Sequence, residues 1–196
     1  MTYFTIYTPD SAPTPSNEIL DGLKKAMSFV PNVFAVMGGT PHVLSSFVEL
    51  NKQFSETSLS ATEREIIQIS VSVENACAYC VAGHTAFAKM QNISDEIIIA
   101  VRNGGNINDP RLAALHDFTR ALVTTKGHLD SAEKDRFIAA GYSKTQMQEV
   151  ILGVCVKTFS NFISVLLDIP LDEAFSAYAW VPQSEKTLSE FERQVA

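Results

Sequence analysis

Glu65, Cys77, Cys80 and His84 stand at spacings that could do chemistry, in the pattern E-x11-C-x2-C-x3-H. On a helix, Cys77 and Cys80 are three residues apart and share a face, and His84 lies one turn beyond Cys80 on that same face. Two thiols within reach of one another can cycle between dithiol and disulfide. An imidazole one turn away can take a thiol proton or stabilise the thiolate. With Asn75 capping the helix, Cys77 falls in the first turn, where free N–H groups and the positive dipole end favour a thiolate. Glu65, near the middle of the preceding helix, is folded back toward the cysteines by a turn at 73–76. A charged carboxylate beside a thiol would raise its pKa. A place in a proton relay with His84 therefore suits Glu65 better than charge stabilisation.

Other uses of a CxxC can be weighed against this one. A c-type haem needs C-x-x-C-H, and Val81 follows Cys80. A thioredoxin-type site follows a strand in a βαβ unit, and the pattern here has none. Cys77, Cys80, His84 and Glu65 could together ligate zinc, although structural zinc sites usually recruit a second Cys/His pair and none is evident. Two inert core thiols are the plainest alternative.

The elements that must position these residues read as helices throughout. Pro9, Pro13 and Pro15 make residues 1–15 an extended lead-in. Ser16 or Asn17 caps a helix through Met27, and a second runs from about Pro41 to Phe54. Pro31 and the Gly38-Gly39-Thr40-Pro41 cluster punctuate the chain between them. Ser60-Ala61-Thr62-Glu63 has capping-box spacing and opens a helix rich in β-branched residues. The next helix carries Cys77 to about Met90. Ser94 opens another, ended at Gly104-Gly105, and Pro110 begins a long one to about Thr125. Asp130 or Ser131 caps a short helix stopping at Gly141. Ser143 caps a long apolar helix that Pro170 closes, and residues 171–175 form one last short helix. The expected fold is all-α, a helical bundle in a single domain over 1–196 with a polar tail from about 182.

Composition narrows the function classes. The 196 residues carry a net charge of −7, which argues against sequence-independent nucleic-acid binding. No apolar run approaches the roughly 18–20 residues needed to cross a bilayer, and the N-terminus lacks a signal-like pattern, so a cytoplasmic protein is expected. Three cysteines in that compartment suggest redox or metal chemistry over structural disulfides.

The segment from Glu65 through Cys77-Ala-Tyr-Cys80-Val-Ala-Gly-His84 resembles the signature of the alkylhydroperoxidase AhpD-like group of the carboxymuconolactone decarboxylase family, and the helices from about Pro41 to Leu171 are similar to that fold. The resemblance implies a thiol-dependent peroxidase or disulfide reductase of the peroxidase-related branch. Cys80 would be the peroxidatic thiolate, Cys77 the resolving thiol, and Glu65 and His84 the proton relay. It further implies a hydroperoxide substrate, a thiol reductant or disulfide-reductase protein as electron donor, and a homo-oligomer (dimer, trimer or hexamer). No cofactor is required, because the cysteines carry the electrons. Tyr79 departs from the branch that has a histidine between the cysteines, while the paired cysteines argue against lactone decarboxylation. By helix position alone, Cys77 should be the more exposed thiol and the one an external reductant meets. A redox-sensing or disulfide-exchange protein and a zinc-stabilised interaction module remain alternatives.

The remaining candidates invite plainer expectations. His42, His116 and His128 have no ligand spacing and are expected at the surface or at caps. Cys155 should be a buried inert thiol. Phe159, Phe162, Val165 and Leu166 should be core or subunit interface, and the Ile97-Ile98-Ile99 run should be buried between helices or at a contact. Asp168 and Asp172 look like cap and turn residues.

Overall fold

The computed structural model describes residues 4–182, and the described residues form no strand. In chain order the helices are α1 (Ser16–Met27), α2 (Asn32–Met37), α3 (Pro41–Ser55), α4 (Ala61–Glu74), α5 (Ala78–Met90), α6 (Asp95–Arg102), α7 (Pro110–Thr124), α8 (Ser131–Ala139) and α9 (Lys144–Leu166), followed by a 3-10 helix at Glu173–Tyr178. The all-α expectation holds. The tail from 183 onward lies outside the described residues.

Local chemistry sets several helix starts. Ser60 Oγ accepts the Glu63 N–H at 3.2 Å, and the Glu63 carboxylate accepts the Ser60 N–H at 2.7 Å. The same reciprocal arrangement opens α8 at Asp130/Glu133 and α9 at Ser143/Gln146. Helix α4 is the hub, packing against α5, α6, α7 and α9. It buries Ile66, Ile67, Ile69 and Val71 together with Gln68, Ser70 and Ser72, so nearly its whole circumference is enclosed. A helix surrounded on all sides needs no polar face. That explains how a β-branched run, ambiguous on propensity alone, is held helical by its neighbours.

The structure differs from expectation in several places. Pro31 does not merely interrupt the chain: it is the N-cap of α2, a helix the sequence did not announce. The carboxylate that accepts the Asn32 N–H, at 3.2 Å to each oxygen, belongs to Asp172, far along the chain. The lead-in is docked, with the Tyr7 N–H donating to Ala35 O at 3.1 Å and the Tyr7 ring lying over Gly39. Helix α9 ends at Leu166, before a left-handed Asp168 (φ 46°). Contrary to the expectation for apolar runs, α9 contains an 18-residue window with a mean hydropathy of 1.5. It nevertheless packs on α3 and α4 and buries Lys157, Ser160, Asn161 and Ser164.

Gly153 marks the tightest crossing. A Cβ there would meet the Phe54 ring at 2.6 Å and Ile67 Cγ2 at 2.9 Å. Gly153→Ala gains roughly 1 kcal/mol of helix propensity, but overpacking a filled core costs about 1–3 kcal/mol. The expected net result is a lowered urea midpoint at unchanged m-value, measured by circular dichroism.

Candidate active site

The junction between α4 and α5 delivers the cysteines. Asn75 ends α4, Ala76 takes a left-handed conformation (φ 50°), and Cys77 follows at once as the N-cap of α5. The Cys77 N–H donates to Ser72 O at 2.9 Å and the Ala76 N–H to Val73 O at 3.0 Å. This is the Schellman pattern of helix termination. It corrects the expected capping role of Asn75, whose side-chain amide donates instead to Asn161 Oδ1 at 2.9 Å. Cys77 is thus the cap, and Cys80 lies in the first turn among the free N–H groups.

Both thiols are unbridged and buried, Cys77 at 1% exposure and Cys80 at 4%. The expectation that Cys77 is the more exposed therefore fails, because α9 and the end of α4 enclose the junction. The pair divides its protons unequally. A hydrogen bond from Cys77 holds the Cys80 thiol well below the ordinary range, and Lys157, the Ser164 hydroxyl and His84 add to this against the cost of burial. Cys77 is pushed far up by donating that hydrogen bond and by burial. Ser164 Oγ lies 3.6 Å from Cys80 Sγ.

Glu65 and His84 meet as the spacing implied, with His84 Nδ1 2.8 Å from Glu65 Oε2. The other ring nitrogen, Nε2, is 2.6 Å from Lys157 Nζ. A lysine ammonium can only donate, so Nε2 accepts and Nδ1 carries the hydrogen given to Glu65. The second Glu65 oxygen accepts from Gln91 Nε2 at 3.0 Å. The result is a continuous Glu65–His84–Lys157 chain beside Cys80. Both His84 nitrogens are engaged, one by Glu65 and one by Lys157. No group of three His, Cys, Asp or Glu side chains able to hold a metal occurs among the described residues.

Residues 41–106 match the model of the carboxymuconolactone decarboxylase family, a span that includes all four motif residues. Over that span the chain is similar to the carboxymuconolactone decarboxylase family. Its fold is similar to that of an uncharacterized peroxidase-related protein from Ralstonia eutropha JMP134, described as an alkylhydroperoxidase AhpD core (TM-score 0.81, 19% identity, covering 92% of this chain and 97% of that one). A peroxidase-related protein from Silicibacter sp. TM1040 gives a TM-score of 0.76 at 17% identity, covering 89% and 97%. The debrominase Bmp8 gives 0.76 at 22%, covering 91% and 96%. At these identities the likeness is one of fold. No curated protein sequence matches the chain significantly.

A cavity of about 80 Å³ opens beside Cys80, with Phe34, Phe47, Phe87 and Phe175 as apolar walls and Tyr79, His84 and Lys157 as polar points. Cys77 is not among its lining residues. The Tyr79 hydroxyl donates to Asp172 Oδ2 at 2.5 Å and accepts the Val33 N–H at 3.2 Å. Burial and the Asp172 carboxylate push the phenol well above its ordinary range. Asp172 is therefore a tie between distant segments, where a simple turn residue was expected.

Lys157 was invisible to motif reasoning. It sits on an apolar helix far from the cysteines in sequence, and its only signal was a cation in an otherwise uncharged run. Two further expectations need correction. His116 is buried, with Nδ1 2.7 Å from Ser70 Oγ, because α7 packs directly on α4. Cys155 is exposed, on the outer side of α9. Of the residues expected in the core or at a subunit interface, Phe162 (63%), Val165 and Leu166 are exposed, which leaves the interface; in the Ile97-Ile98-Ile99 run, Ile98 is buried and Ile99 exposed.

Replacing the ammonium tests its effect on Cys80. Lys157→Met should slow alkylation of Cys80 by iodoacetamide at pH 7 on the order of tenfold, since one pKa unit is a tenfold change in thiolate below the midpoint. Quantitative peptide mass spectrometry reads the rate, and an unchanged rate would contradict the role.

Proposed function

We propose that the chain is a thiol-dependent peroxidase of the alkylhydroperoxide reductase type. The observation that carries this reading is that Cys80, whose thiolate is favoured, lines the cavity while its partner Cys77 lies behind it. The Cys80 thiolate attacks the terminal oxygen of a hydroperoxide and the O–O bond breaks. The alkoxide leaves as an alcohol with a proton supplied through the Lys157–His84–Glu65 chain. Cys77 then attacks the sulfur of the Cys80 sulfenic acid. Water departs, the Cys77 proton returns to the leaving hydroxide, and the Cys77–Cys80 disulfide closes. The dithiol supplies both electrons, and an external thiol restores it.

A homo-oligomer belongs to the same proposal. The apolar residues that α9 leaves uncovered, Phe162, Val165 and Leu166, are the surface it would use.

The phenylalanine walls favour a second reading. A related fold has been described as a debrominase in complex with 2,3,4-tribromopyrrole. Here the Cys80 thiolate would take a halogen from a small haloaromatic, the arene carbon would gain a proton, and Cys77 would displace halide to form the same disulfide. Halide release under steady-state turnover separates this reading from the peroxidase, and oxidation to the disulfide without turnover of either substrate would favour the redox sensor.

Under the peroxidase reading, Cys80→Ser should abolish reduction of cumene hydroperoxide. Cys77→Ser should consume one equivalent of hydroperoxide and gain 16 mass units at Cys80, read by intact-protein and fragment mass spectrometry. Full turnover in Cys80→Ser would remove the proposal.

A further inference from the structure

The disulfide proposed above must be reduced again, and the two sulfurs differ in how they can be reached. Cys77 is 1% exposed, lies at the α4–α5 junction and does not line the cavity. Cys80 lines it. The cavity, about 80 Å³, has room for a few waters or a short alkyl chain.

The side of the cavity formed by the 3-10 helix is tied down. Phe175 packs edge-on against Tyr79 and Phe87, and a Cβ at Gly83 would already touch its ring at 3.4 Å. The segment just before Phe175 is anchored by Asp172, which holds the Tyr79 hydroxyl at 2.5 Å and the Asn32 N–H at 3.2 Å. Asn32 Nδ2 in turn donates to Pro170 O at 3.0 Å. With Cys80 only 4% exposed, a folded protein's dithiol would have to be threaded into this small cavity, whereas a slender thiol suits its volume.

We propose that oxidant and reductant share one entrance and one sulfur: the reductant is a low-molecular-weight aliphatic thiol that attacks Cys80 through the cavity, and Phe175 limits its width. This rests on the peroxidase reading only in taking the Cys77–Cys80 disulfide as the oxidised state. The incoming thiolate forms a bond to Cys80 Sγ and the Cys77–Cys80 bond breaks. The electron pair goes to Cys77, which takes up the proton that the entering thiol gave to the buried chain. A second thiol attacks the outer sulfur of the mixed disulfide, and a low-molecular-weight disulfide departs. Cys80 is left as thiolate, so two thiols have been oxidised and the protein disulfide reduced. This places the reductant at Cys80, where helix position alone had pointed to Cys77.

The test uses the full chain, oxidised to the disulfide by prolonged hydrogen peroxide so that turnover is not required, and checked by a loss of two mass units. Limiting cysteamine is added and quenched with N-ethylmaleimide, and fragment mass spectrometry locates the adduct. Cysteamine on Cys80 with maleimide on Cys77 is expected, and the reverse would overturn the inference while leaving the peroxidase reading intact. Reduction per thiolate should be at least about tenfold faster with cysteamine than with a thioredoxin, because access limits the exchange. A faster thioredoxin would also overturn it. Phe175→Ala and the milder Phe175→Leu should raise the rate with glutathione more than with cysteamine, and equal gains for both thiols would count against the gate. If prolonged peroxide forms no disulfide, the peroxidase reading and this inference fall together.

Discussion

A lysine ammonium buried to 4% exposure is the constraint around which the site is built. Burying such an ion costs several kcal/mol unless charge and hydrogen bonds compensate it. One hydrogen bond to a charged group returns only about 1.5–3 kcal/mol. The bond from Lys157 to His84 Nε2 is therefore insufficient alone. Negative charge must be near, and it comes from two directions: Glu65 across the imidazole, and Cys80 as thiolate. The buried lysine thus favours the ionised cysteine, beside the hydrogen bond from the Cys77 thiol, which contributes most, and the Ser164 hydroxyl near the same sulfur.

The fold serves that arrangement by holding helices from distant parts of the chain at fixed distances. Helix α4 contributes Glu65, α5 the cysteines and His84, and α9 Lys157 and Ser164. All three are mutually packed, with α4 enclosed on nearly every side. The abrupt α4–α5 turn lets Cys77 be both the end of one helix's cap and the start of the next. It needs Ala76 in a left-handed conformation, which disfavours a residue with a Cβ by about 1–2 kcal/mol. Across the cavity, Tyr79, Asp172 and Asn32 join the middle of the CxxC to α2 and to the segment leading into the 3-10 helix. The residue that departs from the histidine-bearing branch thus acts as a fastening for the cavity wall.

What could be read from the sequence was what is local. The capping box at Ser60, the helical spacing of Cys77, Cys80 and His84, and the return of Glu65 to His84 follow from three- and four-residue periodicities that the structure preserves. What could not be read depends on long-range partners. Helix α2 is capped by Asp172, His116 is enclosed by α4, and Lys157 reaches His84 across 73 residues of sequence. In helix α9 the apolar residues Phe162, Val165 and Leu166 face outward while Lys157, Asn161 and Ser164 face inward beside Val150 and Val156, so hydrophobicity alone did not separate the core from the exposed face.

The central claim is that Cys77, Lys157, Ser164 and His84 together hold Cys80 as a thiolate. The most direct measurement is the absorbance at 240 nm, titrated with pH in the Cys155→Ser protein so that the exposed thiol does not contribute. The account predicts a first transition well below the ordinary thiol range of about 8.5, with the second thiolate absent until much higher pH. A single transition for both cysteines at or above that value would contradict it.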